Sequence, residues 1–432
     1  MNIILPENVV LILDRLKKYG SIGYVVGGCV RDSIIGLQPN DWDITTPLLP
    51  GVVKNLFSDY HVIDTGIKHG TVTVVIDDEQ YEITTFRIDG KYSDNRHPDN
   101  VHFTDRLEED LKRRDFTINA MAYNPDVGLI DKFGGMDDLM CARIRCVGNP
   151  KERFEEDGLR ILRALRFAIT LGFNINHDTN LCLKQSTNLL RNVSKERINS
   201  ELCKMLSTKF PLSFEILREH MNLFYYLTSY FDDNVESSAQ KLNHFETVNT
   251  LITSGKNDGL AVRMALLYQF VDGDLKSIMS YNRVDNQTIK SVIDILSHSY
   301  DYVYVRNDDA SIKYHTRKFI SQIGYDGIYN LVKFWNARIP VVETPIFRYK
   351  YLDIAEKIDR YAHEFEENSE CCSLKQLDIT GDDLIEIGYK PGVKIGETLN
   401  YLLDEVMHDP YKNKRNWLIE WAKERLTNDK YQ

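Results

Sequence analysis

The stretch of residues 22–44 constrains the fold of this chain more than any other part of its sequence. The apolar residues 22–26 predict a buried strand, and residues 30–37 have the pattern of a short helix. Gly27 and Gly28 separate the two, and glycines at such a junction let the backbone approach a ligand closely. Because free N–H groups at the start of a helix attract phosphate oxygens, the junction predicts a phosphate-binding turn.

Charged residues follow the glycines at spacings that suit a nucleotide and its metal ions. Arg31 lies one turn into the predicted helix and adds a fixed positive charge. Asp41 and Asp43 are two residues apart, and on a strand this spacing points both carboxylates to one side, roughly 6–7 Å apart. Paired hard oxygen ligands suit Mg²⁺, which in turn suits a triphosphate. The spacing excludes a Walker A loop, because no Gly-Lys-Ser/Thr follows the glycines.

A third carboxylate lies in a segment that predicts a β-hairpin. Residues 71–76 and 81–86 are rich in β-forming residues and are separated by a short acidic turn. Glu82 alternates with its apolar neighbours, so it can face the same side as the aspartate pair. It would then complete a metal site or accept a proton; the alternative is an exposed glutamate on an edge strand. Residues 87–106 are polar and predict a long connecting loop.

Residues 107–122 carry three more side chains that suit a nucleotide. Arg114 can pair with phosphate oxygens. Asp115 and Asn119 lie four residues apart on one face of a predicted helix, where they would hold ribose hydroxyls and favour NTP over dNTP. The alternative interpretation is a solvated, charged start of a helix.

Residues 149–172 predict a helix with one apolar and one basic face. Arg160 and Arg163 lie opposite the apolar face, with Asp157 beside them and Arg166 at the border. The alternative is a solvated stripe in which Asp157 and Arg160 form an ion pair three residues apart.

Composition limits the class of protein. The chain has 432 residues, enough for about three domains. Its 43% hydrophobic and 27% charged residues indicate a globular chain. The net charge of −11 argues mildly against a nucleic-acid partner, but basic clusters at residues 112–114, 160–166 and 412–415 predict a basic concave surface.

The cysteines and the hydropathy of the sequence indicate in which cellular compartment the protein is found. Seven cysteines without metal-ligand spacing predict reduced thiols in a cytoplasm. No apolar run approaches the ~18 residues of a membrane helix, and no signal peptide is predicted at the N-terminus. We therefore expect a cytoplasmic protein with no membrane partner.

Together, these motifs resemble the nucleotidyltransferase superfamily related to DNA polymerase beta. Within it, the chain is similar to the class II tRNA nucleotidyltransferase and bacterial poly(A) polymerase family. The resemblance is dense from residue 24 to residue 202 and thinner afterwards, although it covers nearly the whole chain. The motifs that carry it are Gly27-Gly28 with Arg31-Asp32, Asp41-x-Asp43, the segment 107–122, Glu156-Asp157-x-x-Arg160 and Ser194-x-Glu196-Arg197.

The resemblance implies template-independent addition of CCA to the 3′ end of tRNA, using CTP and ATP and releasing pyrophosphate. Asp41 and Asp43 would hold two Mg²⁺ ions, with Glu82 as a third catalytic carboxylate. Asp157 and Arg160 would read the base edge, because aspartate offers only acceptors and arginine only donors. The nucleotide-binding residues implied are Gly27, Gly28, Arg31, Arg114, Asp115, Asn119, Asp157, Arg160, Arg163 and Arg166. Glu196, Arg197 and Glu201 would brace the base-reading helix.

The fold class implied is α+β. A nucleotidyltransferase head with a mixed sheet would span residues 1–148, and a helical neck that recognises the base would span 149–208. A helical body would follow over 209–345, and a helical tail that binds tRNA over 346–432.

Several functions stay open at this point. The enzyme could add only CC, only A, or a poly(A) tail, and the length of segment 87–106 argues against a CC-only enzyme. A nucleotidyltransferase for small molecules is disfavoured by the long helical C-terminal half. A non-catalytic RNA-binding protein is disfavoured by the intact pair Asp41 and Asp43. The oligomeric state is open between monomer and homodimer.

Overall fold

The computed structural model describes residues 2–90, 101–208, 259–269, 271 and 273–428. The chain divides into two compact units, residues 1–227 and 228–432. The finer division into head, neck, body and tail stays a prediction. Among the described residues, no helix has the length and apolar character needed to cross a membrane.

The first unit is built on a seven-stranded mixed sheet in the order β3-β4-β5-β2-β1-β8-β9. The strands of this unit are β1 (Tyr24–Val26), β2 (Asp43–Thr46), β3 (His61–Ile63), β4 (Thr71–Ile76), β5 (Glu79–Thr85), β6 (Arg87–Asp89), β7 (Val101–Phe103), β8 (Met121–Asn124), β9 (Gly128–Asp131), β10 (Arg143–Ile144) and β11 (Asn174–Ile175). In the large sheet β2 and β5 are parallel, and the other neighbouring strands are antiparallel. The predicted mixed sheet is confirmed.

The hairpin of β4 and β5 follows directly from its sequence. Val72, Val74 and Ile76 are buried and alternate with half-buried threonine and valine, so one face of β4 lies in the core. The turn contains Asp77 and Asp78, whose φ angles are 50° and 63°. Two consecutive positive φ angles match the twist of the flanking strands, and aspartate tolerates them better than most residues. The hairpin places β5 beside β2, which carries Asp43.

The segment 87–106 is not the continuous loop that its polar composition predicted. β6 and β7 pair antiparallel, with Arg87 opposite Phe103. Residues 91–100 lie outside the described residues. A polar sequence can form a short two-stranded sheet, because its backbone hydrogen bonds do not depend on apolar side chains.

Nine helices complete the described part of the first unit: α1 (Glu7–Lys18), α2 (Gly28–Ile34), α3 (Pro50–Leu56), α4 (Leu107–Lys112), α5 (Gly135–Met140), α6 (Pro150–Glu156), α7 (Leu159–Leu171), α8 (His177–Gln185) and α9 (Lys195–Leu206). The apolar face predicted for α7 is in the core, where Ile161, Leu165 and Ile169 are fully buried. α7 packs against α9. Gly172 then ends α7 with φ 70°, a left-handed conformation that favours glycine.

The described residues of the second unit form helices and no strand. Its α-helices are Leu260–Tyr268, Leu275–Tyr281, Asn286–Ser297, Asp309–Val342, Pro345–Glu367, Gly381–Glu386, Val393–His408 and Arg415–Asn428. The longest one is kinked at Gly324, whose φ is 73°. An apolar core of the last helices includes Leu384, Leu402 and Val406.

Candidate active site

Gly27 sits at the turn between β1 and α2, in a backbone conformation that favours glycine and beside the end of the Arg114 side chain. Its φ is 81°, and an ideal Cβ would lie 2.9 Å from Nη1 of Arg114 and 3.8 Å from Oδ2 of Asp43. Any other residue would be strained there and would press on the Arg114 guanidinium. The glycine therefore keeps open the space between a positive and a negative side chain.

A cleft of about 650 Å³ opens at this turn, entirely within the first unit. Every predicted site residue except Glu82 lines it. The lining residues are Gly27, Gly28, Arg31, Asp32, Asn40, Asp41, Asp43, Arg113, Arg114, Asp115, Asn119, Asp157, Arg160, Arg163, Arg166, Phe167 and Lys204. Because guanidinium groups outnumber carboxylates along the walls, the cleft suits a polyanionic ligand.

Asp41 and Asp43 lie at the N-terminal end of β2. Asp43 is the first residue of β2, whereas Asp41 precedes the strand, so only one of the two aspartates lies on a strand as predicted. Glu82 lies on the neighbouring strand, because Ile44 pairs with Ile83 in parallel register. Among the described residues, no three carboxylate, histidine or cysteine side chains are grouped closely enough to hold a metal ion. The structure thus offers an aspartate pair with Glu82 as an exposed neighbour.

Asp43 is the unusual carboxylate of the group. Burial raises its pKa, Arg114 acts in the opposite direction, and the negative charges of Asp41 and Glu82 raise it again, to about 6. The negative charge of Asp43 is thus only partly compensated by its surroundings. A bound cation would supply the missing compensation.

Arg31 is held firmly at the base of the cleft. Its Nη1 donates to Oδ1 of Asn119 at 2.7 Å, and its Nε donates to Oδ1 of Asp32 at 2.8 Å. Only 8% of Arg31 is exposed. Its Nη2 also donates to Oδ2 of Asp32 at 2.9 Å, so two of its five N–H groups remain and point in set directions, which suits the recognition of a phosphate oxygen.

Asp115 and Asn119 do not lie on one helix, which corrects the prediction. α4 ends at Lys112, and a separate 3₁₀ turn covers Thr117–Asn119. The two side chains still meet, because Nδ2 of Asn119 lies 3.4 Å from Oδ1 of Asp115. The 3₁₀ turn brings Asn119 back towards Asp115. The side chain of Asp115 also accepts a hydrogen bond from the N–H of the next residue, Phe116.

Asp115 is tied to α7 through Arg163. Nε of Arg163 donates to Oδ2 of Asp115 at 2.7 Å. Burial works to raise the pKa of Asp115, but the positive charges of Arg163 and Arg160 outweigh it and hold the pKa at about 2. Asp115 is therefore ionised and serves as the counter-ion of the basic face of α7.

The ion pair between Asp157 and Arg160 that the alternative interpretation required does not form. Asp157 lies between α6 and α7 with φ −145° and ψ 105°, so the helical spacing that would bring the two together does not apply. Arg160 instead pairs with Glu156 and donates to the carbonyl oxygens of Arg153 and Arg113 at 3.1 and 3.0 Å. It is 9% exposed, so the basic face is lined by polar partners rather than fully solvated.

Phe167 and Lys204 line the cleft although the sequence did not single them out. The ring of Phe167 has three guanidinium carbons near it, those of Arg166, Arg31 and Arg163, at 3.9, 5.0 and 5.4 Å from its centroid. A ring that faces several cations orients them through its quadrupole. Helical periodicity assigns Phe167 to the apolar core, and only its position next to Arg166 hinted at this role.

Comparison with known proteins agrees with this geometry. Residues 23–145 match the family model described as the poly A polymerase head domain, and residues 345–422 match tRNA nucleotidyltransferase domain 2. The CCA-adding enzyme of Ligilactobacillus salivarius is 34% identical over 96% of this chain and 95% of its own length. The CCA-adding enzyme of Lactococcus lactis subsp. cremoris is 34% identical over 99% of each.

A solved structure extends the agreement to the fold. The Bacillus stearothermophilus CCA-adding enzyme in complex with CTP has a TM-score of 0.78 and 27% identity, covering 99% of this chain and all of the other. The resemblance read from the motifs and the predicted α+β class are confirmed.

Proposed function

The chain belongs to the family of CCA-adding enzymes, and we propose that it adds CMP twice and AMP once to the 3′ end of a tRNA. The reaction uses CTP and ATP, releases pyrophosphate and needs no nucleic-acid template. The observation that carries the proposal is the single cleft that joins the aspartate pair to the basic face of α7. The aspartate pair suits nucleotidyl transfer, and the basic face of α7 suits recognition of a base.

Asp41 and Asp43 fit the Mg²⁺ that this chemistry requires. Both offer hard oxygen ligands, and the raised pKa of Asp43 marks a buried carboxylate whose charge Arg114 compensates only in part. Two Mg²⁺ ions, when bound, would activate the 3′-hydroxyl of the tRNA and neutralise the leaving pyrophosphate. Glu82 adds negative charge beside this pair.

Arg31 and Arg114 are the side chains that would bind the triphosphate. Nη1 of Arg114 lies next to Gly27 and Nη2 of Arg31 next to Gly28, and the two glycines let phosphate oxygens approach the backbone of the turn. Asn119 has its oxygen bonded to Arg31 and one hydrogen of its amide nitrogen directed at Asp115, so the second hydrogen of that nitrogen is left to donate to a ribose hydroxyl.

Asp157 and Arg160 would read the base of the incoming nucleotide. Cytosine and adenine both present an exocyclic amino group beside an acceptor ring nitrogen. A carboxylate beside a guanidinium matches that pattern and mismatches uracil and guanine, which carry a carbonyl oxygen in place of the amino group. Arg163 and Arg166 support this pair from the next turn of α7.

The partner is a tRNA whose 3′ end enters the same cleft, and the helical second unit contributes to its binding. The compartment we propose is the cytoplasm, and the observation that supports it is that none of the seven cysteines, all of which lie in the described part of the chain, forms a disulfide. The division into head, neck, body and tail, with boundaries at residues 148, 208 and 345, is part of this proposal.

A primer-extension assay tests the function. The purified protein is incubated with Mg²⁺ and a tRNA that ends before CCA, with CTP alone, ATP alone or both. We expect two added residues with CTP alone, three with both, and none with ATP alone. Extension by one long run of A would instead indicate a poly(A) polymerase, and no extension would refute transferase activity on tRNA.

A further inference from the structure

The side chain of Arg114 lies between two carboxylates, those of Asp43 and Asp110. Its Nη1 lies 2.9 Å from the ideal Cβ position of Gly27, and Oδ2 of Asp43 lies 3.8 Å from the same point. No hydrogen bond or ion pair joins Arg114 to Asp43. On the other side, Nη2 of Arg114 lies 3.6 Å from Oδ2 of Asp110, which exceeds the ~2.7–2.9 Å of a charged hydrogen bond.

The guanidinium of Arg114 is buried without the hydrogen bonds that buried guanidinium groups normally make. Only 18% of the side chain is exposed. Its Nε is enclosed and donates to no acceptor in the part of the chain that the structure describes. A buried donor without an acceptor is costly, and each such group in a native structure needs a cause, such as a role in catalysis or an absent ion. The position of Arg114 therefore suits a ligand that is not part of the chain.

Asp110 is fully buried, and its two oxygens have different surroundings. Oδ1 accepts from Nε and Nη2 of Arg113 at 2.9 and 2.8 Å, and from the N–H of Arg87 at 3.4 Å. Oδ2 accepts no hydrogen bond from any residue that the structure describes. The contacts of Oδ1 fix the carboxylate in place, so the unused Oδ2 is held facing Arg114.

The charge of Arg114 acts on both carboxylates. Burial works to raise the pKa of Asp110, but the positive charges of Arg113 and Arg114 outweigh it and lower the pKa. Arg114 also opposes the effect of burial on the pKa of Asp43. One guanidinium thus compensates part of the charge of two carboxylates, and a shift towards either of them would leave the other less compensated.

We propose that Asp110 is a positioning residue that restrains Arg114 from pairing with Asp43 and so keeps the metal site accessible. A divalent cation can then bind Asp43 without displacing a guanidinium, and Arg114 stays available to the triphosphate. The inference rests on the proposed function, in which Asp41 and Asp43 hold Mg²⁺. It deepens that function, because it assigns control of the metal affinity to a residue that does not touch the metal.

The position of Asp110 separates this role from direct binding. Asp110 does not line the cleft, whereas Asp43 and Arg114 do. Loss of the negative charge of Asp110 would leave Asp43 as the carboxylate with which Arg114 can pair. The guanidinium and an incoming divalent cation would then compete for the same oxygens, so the affinity for the cation would fall.

The test measures the affinity for Mn²⁺ without nucleotide or tRNA, from the paramagnetic effect of the ion on water relaxation. It is made at pH 8, above the pKa of about 6 that Asp43 has in the metal-free protein. We expect Asp110→Asn to weaken Mn²⁺ binding by about fivefold or more. The matched control is Asp138→Asn, because Asp138 is also fully buried, accepts from two arginines and lies outside the cleft. The control should leave the affinity within about twofold of the native value.

Arg114→Gln gives the opposite expectation for the metal. It removes a positive charge beside Asp43, so Mn²⁺ alone should bind about threefold tighter or more, while CTP with Mg²⁺ binds more weakly. A purely structural role of Arg114 would weaken both. If Asp110 acts through Arg114, the loss caused by Asp110→Asn should largely disappear when Arg114→Gln is already present.

Three results would overturn the proposal: native protein without affinity for Mn²⁺, an unchanged affinity in folded Asp110→Asn, or an affinity that Arg114→Gln leaves unchanged or weakens. Should Asp110→Asn not fold, Arg114→Gln decides. The proposed function is tested separately, because neither tRNA nor nucleotide enters the Mn²⁺ measurement. If the native protein extends tRNA with C and A, the function stands whatever the variants do. If it extends no tRNA, the function fails, and the two opposite shifts in Mn²⁺ affinity still support or refute the role of Asp110.

Discussion

Arg163 on α7 donates to Asp115 at 2.7 Å, across 48 residues of sequence. The two side chains line the same cleft, so the bond ties the segment after α4 to the basic face of α7. A shift of α7 relative to the sheet would break a charged, mostly buried pair. The basic face of α7, proposed to read the base, is therefore coupled to the segment that follows α4.

The Arg163–Asp115 pair predicts a dependence of stability on pH. The pKa of Asp115 is about 2 in the folded protein and near 4 in an unfolded chain. Because the folded pKa is the lower one, the contribution to stability is complete above pH 4 and is lost as the pH falls through 2. It amounts to about 2 kcal/mol at neutral pH and to about half of that at pH 3.

Chemical unfolding of native protein and Asp115→Asn between pH 7 and pH 3 measures this contribution. We expect the difference in the free energy of unfolding between the two proteins to shrink as the pH falls. A difference that stays constant down to pH 3 would show that the carboxylate is not held ionised by the arginines.

The aspartate pair carries the second prediction. Asp41→Ala and Asp43→Ala each remove an oxygen ligand and leave the guanidinium groups of Arg31 and Arg114 in place. Transfer of CMP to tRNA should fall by a factor of about 10³ or more, while the dissociation constant for tRNA changes little. Gel-shift and single-turnover assays on the same preparations check both parts. Substantial transfer by both variants would remove the metal assignment.

Asp43 also predicts a dependence of metal binding on pH. In the metal-free protein its pKa is raised to about 6 by burial and by nearby carboxylates. A metal ligand must be deprotonated, so below pH 6 the ion has to displace a proton. The affinity for Mn²⁺, followed by its paramagnetic effect on water relaxation, should weaken as the pH falls from 7 to 5. An affinity that is the same at both pH values would contradict this.

Gly27 carries a prediction with a matched control in the same chain. Gly27→Ala places a methyl group 2.9 Å from Nη1 of Arg114 in a residue with φ 81°. Gly36→Ala is equally strained, with φ 75°, but its methyl group meets nothing within 4 Å. Both variants should lose about 1–2 kcal/mol of stability, and only Gly27→Ala should raise the KM for CTP.

Thermal melts and initial-rate measurements on the two glycine variants distinguish two effects. Backbone strain is common to both variants, whereas the contact with Arg114 occurs only in Gly27→Ala. Equal KM values for Gly27→Ala and Gly36→Ala would mean that the approach of Arg114 to the turn does not matter for nucleotide binding.

Local sequence patterns predicted those parts of the fold and site whose structure is set by residues close to one another in the sequence. The hairpin of β4 and β5 and the two faces of α7 follow from periods of two and 3.6 residues, and the turn after β1 follows from the conformational freedom of its glycines. Arg160 and Arg163 were placed on the polar face for this reason, and the structure puts both in the cleft.

The pairing of charges could not be predicted in the same way. Asp157 pairs with Arg197 rather than Arg160, and Arg166 donates to Glu201 at 2.6 Å across 35 residues. Such partners are brought together by the packing of α9 on α7, and spacing along one helix contains no information on them. The same limit explains why Lys204, on α9, was missed.

The most direct test of template-independent addition is to sequence the 3′ ends made from one tRNA when all four nucleotides compete. The native protein is given a tRNA that ends before CCA, Mg²⁺ and equal concentrations of CTP, ATP, UTP and GTP, and the products are read individually. If Asp157 and Arg160 replace a template, nearly every completed end reads CCA and extension stops there. Ends of mixed sequence, or runs of a single nucleotide, would contradict the account.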